Sequence, residues 1–325
     1  MLRAYGPGCD GSIVELRTEK IPESATWVDL EEPTEEEEGL VERCLRMDVP
    51  TEDEMAEIEP SSRLYDRNGA LYMTISVLYG VEDGEPKTAP ISFVLADNRL
   101  VTVRYATPKP VRSFSDHARR DGELVRDAPT ALVRMMDAII DRLADELENV
   151  SEDMEQLSAH IFHKRMDQRR IPAARLTALL TRIGRAQTLV TKIRYSAVST
   201  IRMLTFLSGA NRFHEAGAID TRHHLTTLTA DITSLSEYAS FLSDNLTFLL
   251  DASLGLISIE QNAAMKLFSW AAVVLLPPTL IAGIFGMNFH YMPELDWHYG
   301  YPAALVVMLA SAIGPYLFFK WRGWI

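Results

Sequence analysis

Two uncharged segments decide the fold of this chain: LFSWAAVVLLPPTLIAGIF at residues 267–285 and YPAALVVMLASAIGPYLFF at residues 301–319. Neither segment contains Asp, Glu, Lys or Arg, and each has 19 residues. At a rise of about 1.5 Å per residue, a helix of that length crosses a bilayer's hydrocarbon core of roughly 30 Å. We therefore predict two transmembrane helices at the C-terminal end of the chain, joined by a short loop.

The charge of the protein is concentrated before these segments. From Lys266 to the end, the charged residues are Lys266, Glu294, Asp296, Lys320 and Arg322, which sum to +1. The first 265 residues therefore carry −14, and the net charge of the 325 residues is −13. An acidic region attached to a membrane hairpin excludes a basic nucleic-acid-binding protein and a plain soluble enzyme.

The sequence lacks the motifs of familiar enzymes. It contains no GxxxxGK[ST] phosphate-binding loop, no HExxH and no GxSxG. Cys9 and Cys44 do not have the spacing of a zinc site. We predict that the protein is not an enzyme, needs no cofactor, and binds neither nucleotides nor nucleic acid.

Residues 1–128 are predicted to form a cytoplasmic α/β domain. Runs at residues 25–30, 63–66, 70–78, 91–95 and 100–104 have the β-branched and aromatic side chains that favour strands, and a turn ending in Asn68-Gly69 joins the second run to the third as a hairpin. Thr34, followed by four glutamates, is typical of a capped helix start. The first third of the chain is therefore expected to be a small sheet with helices.

The pattern becomes helical from residue 129 onward. We predict a long-helix region at 129–219, a stalk helix at 220–265 and a first transmembrane helix at 266–286. No proline interrupts the third helical pattern before Pro277. We expect the stalk to project into water and to associate with copies of itself.

The few charges around the spans predict their orientation. Lys266 precedes the first span, whereas Lys320 and Arg322 follow the second, and the connecting loop has no Lys or Arg. The positive-inside rule places both termini in the cytoplasm. We predict that the two spans lie in the inner (plasma) membrane of the cell. The remaining segments are an outer loop, a second transmembrane helix and a basic cytoplasmic tail (residues 287–300, 301–319 and 320–325).

One face of the first span is small and polar. Steps of three and four along the chain give Asn262, Met265, Ser269, Ala272, Leu276, Thr279 and Gly283. Such a face either packs closely against other helices or lines a pore, and the residues alone leave both open. The pair Pro277-Pro278 removes backbone hydrogen bonds in mid-span, which lipid does not replace. Two helices cannot enclose a path, so conduction would require several copies around an axis.

The outer end of the first span carries Gly286-Met287-Asn288, and Met292-Pro293-Glu294-Leu295 follows in the loop. Here the sequence resembles the CorA family of magnesium and cobalt transporters. The resemblance is carried by the membrane region, whereas upstream it is one of architecture only.

The resemblance implies a funnel-shaped homopentamer in which the first span lines a central pore and the second forms an outer ring. It implies a selectivity filter of Gly286, Met287 and Asn288, with Asn288 holding a hydrated Mg²⁺ and Glu294 attracting cations to the mouth. An amide ring suits Mg²⁺, which takes oxygen ligands and gives up its waters reluctantly. The implied pore-lining and gate residues are Asn262, Met265, Phe268, Ala272, Leu276, Thr279 and Gly283. Phe268 departs from the family, which often has Leu there.

The implied activity is influx of Mg²⁺, and of Co²⁺, driven by the membrane potential. Intracellular Mg²⁺ would hold the pore shut by bridging carboxylates of neighbouring subunits. The candidates are Asp231 on the stalk and Glu82, Asp83 and Glu85 in an acidic loop. Some family members have an acidic residue about one helical turn earlier, where this chain has Thr227.

Two alternatives remain. His290 and His298 in the outer loop suit zinc or nickel better than magnesium, although Met287 in the tripeptide favours magnesium. The other alternative is a membrane-anchored binding or signalling protein whose hairpin conducts nothing. The adjacent pair His223-His224 is a poor metal site because its members point to different helix faces.

Overall fold

A computed structural model describes residues 1–14, 20–57, 59–162, 173–210, 219–287, 290, 292 and 297–322. The described residues form two compact units, one up to Leu250 and the other from Asp251 onward. The strands are β1 Leu2–Gly6, β2 Cys9–Ile13, β3 Trp27–Glu31, β4 Leu64–Arg67, β5 Ala70–Tyr79, β6 Lys87–Ala96 and β7 Arg99–Arg104. The helices are α1 Glu35–Leu45, α2 Glu52–Ala56, α3 Pro60–Arg63, α4 Lys109–Ala118, α5 Ala128–Phe162, α6 Ala173–Gly209, α7 Ile219–Phe285 and α8 Gly300–Trp321, with a 3₁₀ turn at Gly122–Val125.

The seven strands form one sheet in the order β2-β1-β3-β7-β6-β5-β4. Adjacent strands are antiparallel except for β3 and β7, which run parallel with Trp27 opposite Leu100. The five predicted strands correspond to β3, β4, β5, β6 and β7. The first unit is therefore an α/β domain, as predicted, but the sequence argument missed the N-terminal hairpin of β1 and β2.

The Asn-Gly turn before β5 is confirmed. Asn68 and Gly69 have φ of 55° and 78°, the left-handed pair that a tight hairpin between right-twisted strands requires. The turn sets Arg67 opposite Ala70 and carries the register through Leu64 opposite Met73. Asparagine and glycine adopt this conformation at little cost, so the local sequence was sufficient to predict it.

A buried ion pair joins the two parallel strands. Asp29 of β3 is 0% exposed and Arg104 of β7 is 2% exposed. The Arg104 guanidinium donates to both Asp29 oxygens, from Nε at 3.1 Å and from Nη2 at 2.9 Å. Thr102 donates to Asp29 at 2.7 Å, and Arg104 Nη1 donates to Glu31 at 2.9 Å. The charges are thus buried with their hydrogen-bonding capacity largely used.

Helix α1 begins as the sequence predicts. Thr34 accepts a hydrogen bond from the Glu37 N–H, and the Glu37 carboxylate accepts one from the Thr34 N–H, which together form a capping box. The same arrangement begins α2, where Thr51 and Glu54 exchange hydrogen bonds. The starts of α1 and α2 are therefore each specified by residues within one helical turn.

The long helices pack along continuous apolar stripes. The apolar side chains of α5 that recur at helical spacing are each at most 4% exposed: Leu132, Met135, Met136, Ile139, Ile140, Leu143 and Leu147. Helix α6 packs against both α5 and β5. Strand β5 is consequently buried from Ala70 to Leu78, with no alternation of exposed residues.

The first half of α7 packs against the first unit along one side, whereas the sequence predicts a stalk that projects into water. Its buried residues recur in steps of three, four and seven, and belong to the first unit: Leu225, Leu228, Ile232, Ala239, Leu242, Leu246 and Leu249. Hydrogen bonds tie it to its neighbours, with Gln187 of α6 donating to Ser243 and Tyr238 donating to Ser151 of α5. This half packs in the α/β unit because its leucines follow a nearly heptad spacing that buries one side.

The second unit contains the rest of α7 and α8. Both helices are long and apolar enough to cross a membrane, and their most apolar windows are 0% and 6% buried in the single chain. The Trp270 ring of α7 meets the Phe319 ring of α8 edge-on, with centroids 4.9 Å apart. An apolar surface left this open requires lipid or further protein around it.

Candidate functional site

The proposed lining face of α7 is exposed along its whole length in the single chain. Met265 is 64% exposed, Phe268 73% and Leu276 64%. Asn262, Ala272, Thr279 and Gly283 are exposed as well. The structure thus places these residues along one side of one helix, although Phe268 lies toward its edge at about 100° per residue.

The opposite side of α7 is partly covered. Its half-buried residues are Trp270, Val273, Val274, Pro277, Pro278, Ile281 and Phe285. Trp270 is the residue that contacts α8 through Phe319. The side that meets α8 is therefore not the side that carries the small and polar residues.

An open groove lies on the flank between these two sides. It has a volume of about 760 Å³ and is lined by Asn262, Met265, Lys266 and Ser269 together with Trp270, Val273 and Phe319. Its wall has both polar and apolar side chains, and no described residue of the chain fills the groove. A groove of this size in a membrane helix pair is suited to a neighbouring helix.

The Thr279 hydroxyl bonds to its own helix just after the double proline, whereas the carbonyls that the prolines leave without an N–H donor are those of Val273 and Val274. Pro277 and Pro278 supply no N–H to the preceding turn. The Thr279 hydroxyl donates to the carbonyls of Leu275 at 3.0 Å and Leu276 at 2.8 Å. The helix stays continuous through both prolines, and the Thr279 oxygen keeps lone pairs free to accept from water.

Helix α7 ends next to the Gly286-Met287-Asn288 tripeptide, where the backbone makes a close contact. Gly286 N–H donates to the Ala282 carbonyl at 2.9 Å, and Met287 N–H donates to Ile284 at 3.2 Å. A Cβ on Gly286 would lie 3.1 Å from the Ala282 oxygen. Gly286 has no left-handed φ, so what the missing Cβ permits here is this close approach of the backbone. Asn288 and Glu294 lie outside the described residues.

The histidines of the sequence do not form a metal site where they are described. His290 and His298 are both exposed, and His298 packs edge-on against Tyr299 with centroids 5.2 Å apart. His224 is half-buried, and its Nε2 lies 3.0 Å from Asp137 Oδ2, whereas His223 is exposed. His223 and His224 therefore point to different surroundings and share no ligand among the described residues, which agrees with the prediction that the pair is a poor metal site.

The acidic loop is bound to basic side chains. Glu82 lies 2.6 Å from Arg142 Nη2 and 3.6 Å from Lys109 Nζ, and Glu85 lies 2.7 Å from Lys87 Nζ. A backbone hydrogen bond, followed by Arg142 and Lys109, lowers the pKa of Glu82. These partners compete with a cation for both carboxylates, which weakens the loop as a regulatory metal site.

Asp231 lies instead beside a row of aspartates on α5. Asp137, Asp141 and Asp145 share one face at i, i+4 and i+8. Burial, and then the charges of Asp137, Asp145 and Asp231, raise the pKa of Asp141. The sequence argument missed this row, although its four-residue spacing was visible. Within the described ranges, no group of three or more His, Cys, Asp or Glu could hold a metal ion in one chain.

Comparisons with known proteins identify the family. Residues 22–321 match the family described as "CorA-like Mg2+ transporter protein". The chain is 33% identical over 302 residues to "Magnesium transport protein CorA" of Escherichia coli (strain K12), which covers 93% of this chain and 92% of that protein. The chain therefore belongs to the CorA family.

Solved structures support the fold. The complete structure of the CorA magnesium transporter from Methanocaldococcus jannaschii matches with a TM-score of 0.76 at 18% identity, over 100% of this chain and 99% of that chain. The cytoplasmic domain of ZntB from Vibrio parahaemolyticus matches with a TM-score of 0.52 at 13% identity, over 74% of this chain and 88% of that chain. The architecture of an α/β domain, long helices and two C-terminal apolar helices is thus that of CorA.

Proposed function

We propose that this protein is a divalent cation channel that conducts Mg²⁺, and also Co²⁺, into the cell. The observation that carries the proposal is the match to the CorA family over residues 22–321, which includes the Gly286-Met287-Asn288 tripeptide at the end of α7. The relatives with 33% identity are magnesium transport proteins by name. Mg²⁺ is then the substrate, and the channel itself requires no cofactor.

The active form is a homopentamer in the inner membrane, with both termini in the cytoplasm. Two observations support an assembly of several copies: the exposed lining face of α7, and the open groove on its flank. Because the face that meets α8 lies on the other side of α7, copies arranged around an axis would direct Asn262, Met265 and Thr279 inward. Helix α8 would then lie outside and contact lipid.

The ion path runs along the lining face and ends at the tripeptide. Asn288 contacts the hydrated cation at the outer mouth, and Glu294 raises the local cation concentration. Met265 and Leu276 form apolar constrictions, which close such a pore by excluding water. Phe268 is larger than the usual leucine and narrows the same region from the edge of the face.

The membrane potential supplies the driving force. A divalent ion gains about 4.6 kcal/mol on crossing 100 mV, from roughly 2.3 kcal/mol per elementary charge. Each factor of ten in concentration corresponds to about 1.4 kcal/mol, so the potential alone concentrates the ion more than a thousandfold. No ATP-dependent pump is needed, but the pore has to close when the cell is replete.

Closure is assigned to Mg²⁺ bound at Asp231. The described residues of one chain do not complete a metal site, so the ion would be shared with carboxylates of a neighbouring copy. The α5 aspartates repel Asp231 and favour a cation there. Glu82 and Glu85 are already paired with basic side chains, and Asp83 of the same loop is the remaining candidate.

The test is Mg²⁺ uptake into proteoliposomes that contain a Mg²⁺-sensing dye and an inside-negative potential. We expect potential-dependent entry that is lost in Asn288→Ala and retained in the matched control His290→Ala, which changes an exposed residue two positions along. Zn²⁺ entry without Mg²⁺ entry, abolished by His290→Ala, would replace the magnesium proposal with the zinc-type alternative. No flux of any divalent ion from folded, oligomeric protein would leave only a membrane anchor.

A further inference from the structure

A small cavity in the α/β unit lies between α6 and the β4–β5 hairpin. Its volume is about 290 Å³. The polar residues of its wall are Arg63, Thr74, Tyr195, Ser199 and Arg202, with two aliphatic side chains between them. None of these residues belongs to the proposed ion path or to the acidic groups assigned to its regulation.

The fold brings the polar residues together from three elements. Tyr195, Ser199 and Arg202 stand at i, i+4 and i+7 of α6 and therefore share one helix face. Thr74 comes from the buried strand β5 and Arg63 from the end of α3. The packing of α6 on β5 thus forms the cavity.

Hydrogen bonds hold Arg63 and Ser199 in place. Arg63 Nη1 donates to the Ser76 hydroxyl at 3.2 Å, and Arg63 Nε donates to the Glu57 carbonyl. The Ser76 N–H donates to the Ser199 hydroxyl oxygen at 3.0 Å, which leaves the Ser199 hydrogen free to donate elsewhere. The Tyr195 phenol hydrogen-bonds to Ser76 and Arg63 as well, so these side chains form one connected group at the wall of the cavity.

The wall of this cavity has positive charge and no carboxylate, in a protein of net charge −13. Other cavities of the unit mix the two signs: one includes Glu82, Asp83 and Glu85, and another includes Asp137, Asp141 and Asp145. No Asp or Glu among the described residues lies within ion-pair distance of Arg63 or Arg202. Two arginines kept apart from so many acids form a local site for an anion.

The positive charges of Arg63 and Arg202 also act on the Tyr195 phenol. A hydrogen bond with Ser76, and then the charges of Arg63 and Arg202, lower the pKa of the Tyr195 phenol against the effect of burial. A tyrosine so placed donates a stronger hydrogen bond than usual to an anionic oxygen. Its phenol therefore adds a third donor direction between the two guanidinium groups.

We propose that this cavity binds a phosphate-bearing anion, either inorganic phosphate or pyrophosphate, or the phosphate tail of a nucleotide. Two planar guanidinium groups and three hydroxyls offer more donors than the two oxygens of one carboxylate can use, and they match the several oxygens of a phosphoryl group. The volume is at the small end of ligand pockets, roughly 300–1,000 Å³, which suits a small anion. The donors are side chains from separate elements, so no glycine-rich sequence motif marks the site.

The test is isothermal titration calorimetry of the full-length protein in detergent, in buffer depleted of divalent cations. The probes are inorganic phosphate, pyrophosphate and ATP, with citrate as a carboxylate of comparable charge. We expect saturable binding of at least one phosphate compound that weakens about 10-fold or more in Arg202→Gln, since each charge-assisted hydrogen bond is worth at least that factor. Arg194→Gln, at an exposed arginine of α6 outside the cavity, is the matched control and should bind as the wild type does.

A second readout separates a specific site from general attraction to basic residues. Binding should change the ultraviolet difference spectrum of tyrosine in the wild type, and this change should be absent in Tyr195→Phe. Tighter binding of ATP than of pyrophosphate would identify a nucleotide as the source of the phosphate, whereas equal binding would identify the inorganic anion. The proposal is overturned if Arg202→Gln and Arg194→Gln weaken binding equally, if citrate binds as tightly as the phosphates, or if nothing binds.

Discussion

The buried pair of Asp29 and Arg104 provides the sharpest test of the packing argument. Replacing Asp29 with Asn keeps the shape of the side chain but removes its charge. Asp29 accepts two hydrogen bonds from Arg104 and one from Thr102, at 2.7–3.1 Å. An amide has one acceptor oxygen, and its NH₂ would face donors of the guanidinium. Arg104 would keep Glu31 as its remaining carboxylate partner.

The expected cost follows from burial. Removing one partner of a buried ion pair costs about 3–5 kcal/mol, because the other charge stays in the interior and loses most of its compensation. For a unit of this size, about 2–4 °C of melting temperature corresponds to 1 kcal/mol. Asp29→Asn should therefore lower the apparent melting temperature of the full-length protein by about 6–20 °C.

The matched control is Glu31→Gln, which changes the second carboxylate on Arg104. Glu31 is 22% exposed, and water can replace part of its interaction, so we expect a loss of about 1 kcal/mol. Adding Arg104→Met to Asp29→Asn should cost less than the sum of the two single changes, because no fully buried charge then lacks its partner. A shift of Asp29→Asn no larger than that of Glu31→Gln, or strict additivity in the double variant, would refute this reasoning.

Three further predictions concern other elements of the first unit. Leu246→Ala should destabilise the protein by about 2–5 kcal/mol, since the side chain is fully buried in the α7 stripe, and exposed Phe248→Ala is the comparison in the same thermal melt. Thr34→Ala should cost about 1 kcal/mol through loss of the α1 capping box, whereas Thr34→Ser should retain most of the stability. Asp141→Asn should raise the melting temperature at pH 7, because the folded-state pKa of Asp141 is raised and its charge opposes folding at neutral pH. That gain should disappear as the pH falls below about 4, where Asp141 is protonated in both states; a gain that is independent of pH would contradict it.

The membrane hairpin could be predicted from the sequence because each span is a continuous run without charge. Its length is set by the thickness of the bilayer and depends on no distant residue. The Asn68-Gly69 turn and the Thr34 cap were predictable for a similar reason, since each is decided within four residues. Even the small and polar face of α7 follows from helical spacing alone.

The partners of charged residues could not be predicted in this way. The sequence treats Glu82 and Asp231 alike, as candidate acidic ligands. In the structure Glu82 pairs with Arg142, 60 positions along the chain, whereas Asp231 lies near the aspartates of α5. The sequence predicts that the first half of α7 projects into water, because nothing in its pattern separates this half from the membrane-spanning half. The α/β unit covers its leucines, and a single helix gives no sign of which neighbour does so.

The sequence by itself determined the class of architecture, the two apolar spans, and the tripeptide that relates this chain to the CorA family. These features depend on local composition, on helical period and on short motifs. Tertiary structure alone decided the parallel pairing of β3 with β7, the burial of Arg104 against Asp29, and the meeting of Arg63 with Arg202 across α6 and the β4–β5 hairpin. Each of these brings together residues far apart in the chain, and the energy that selects them comes from burial and desolvation, which no local pattern contains.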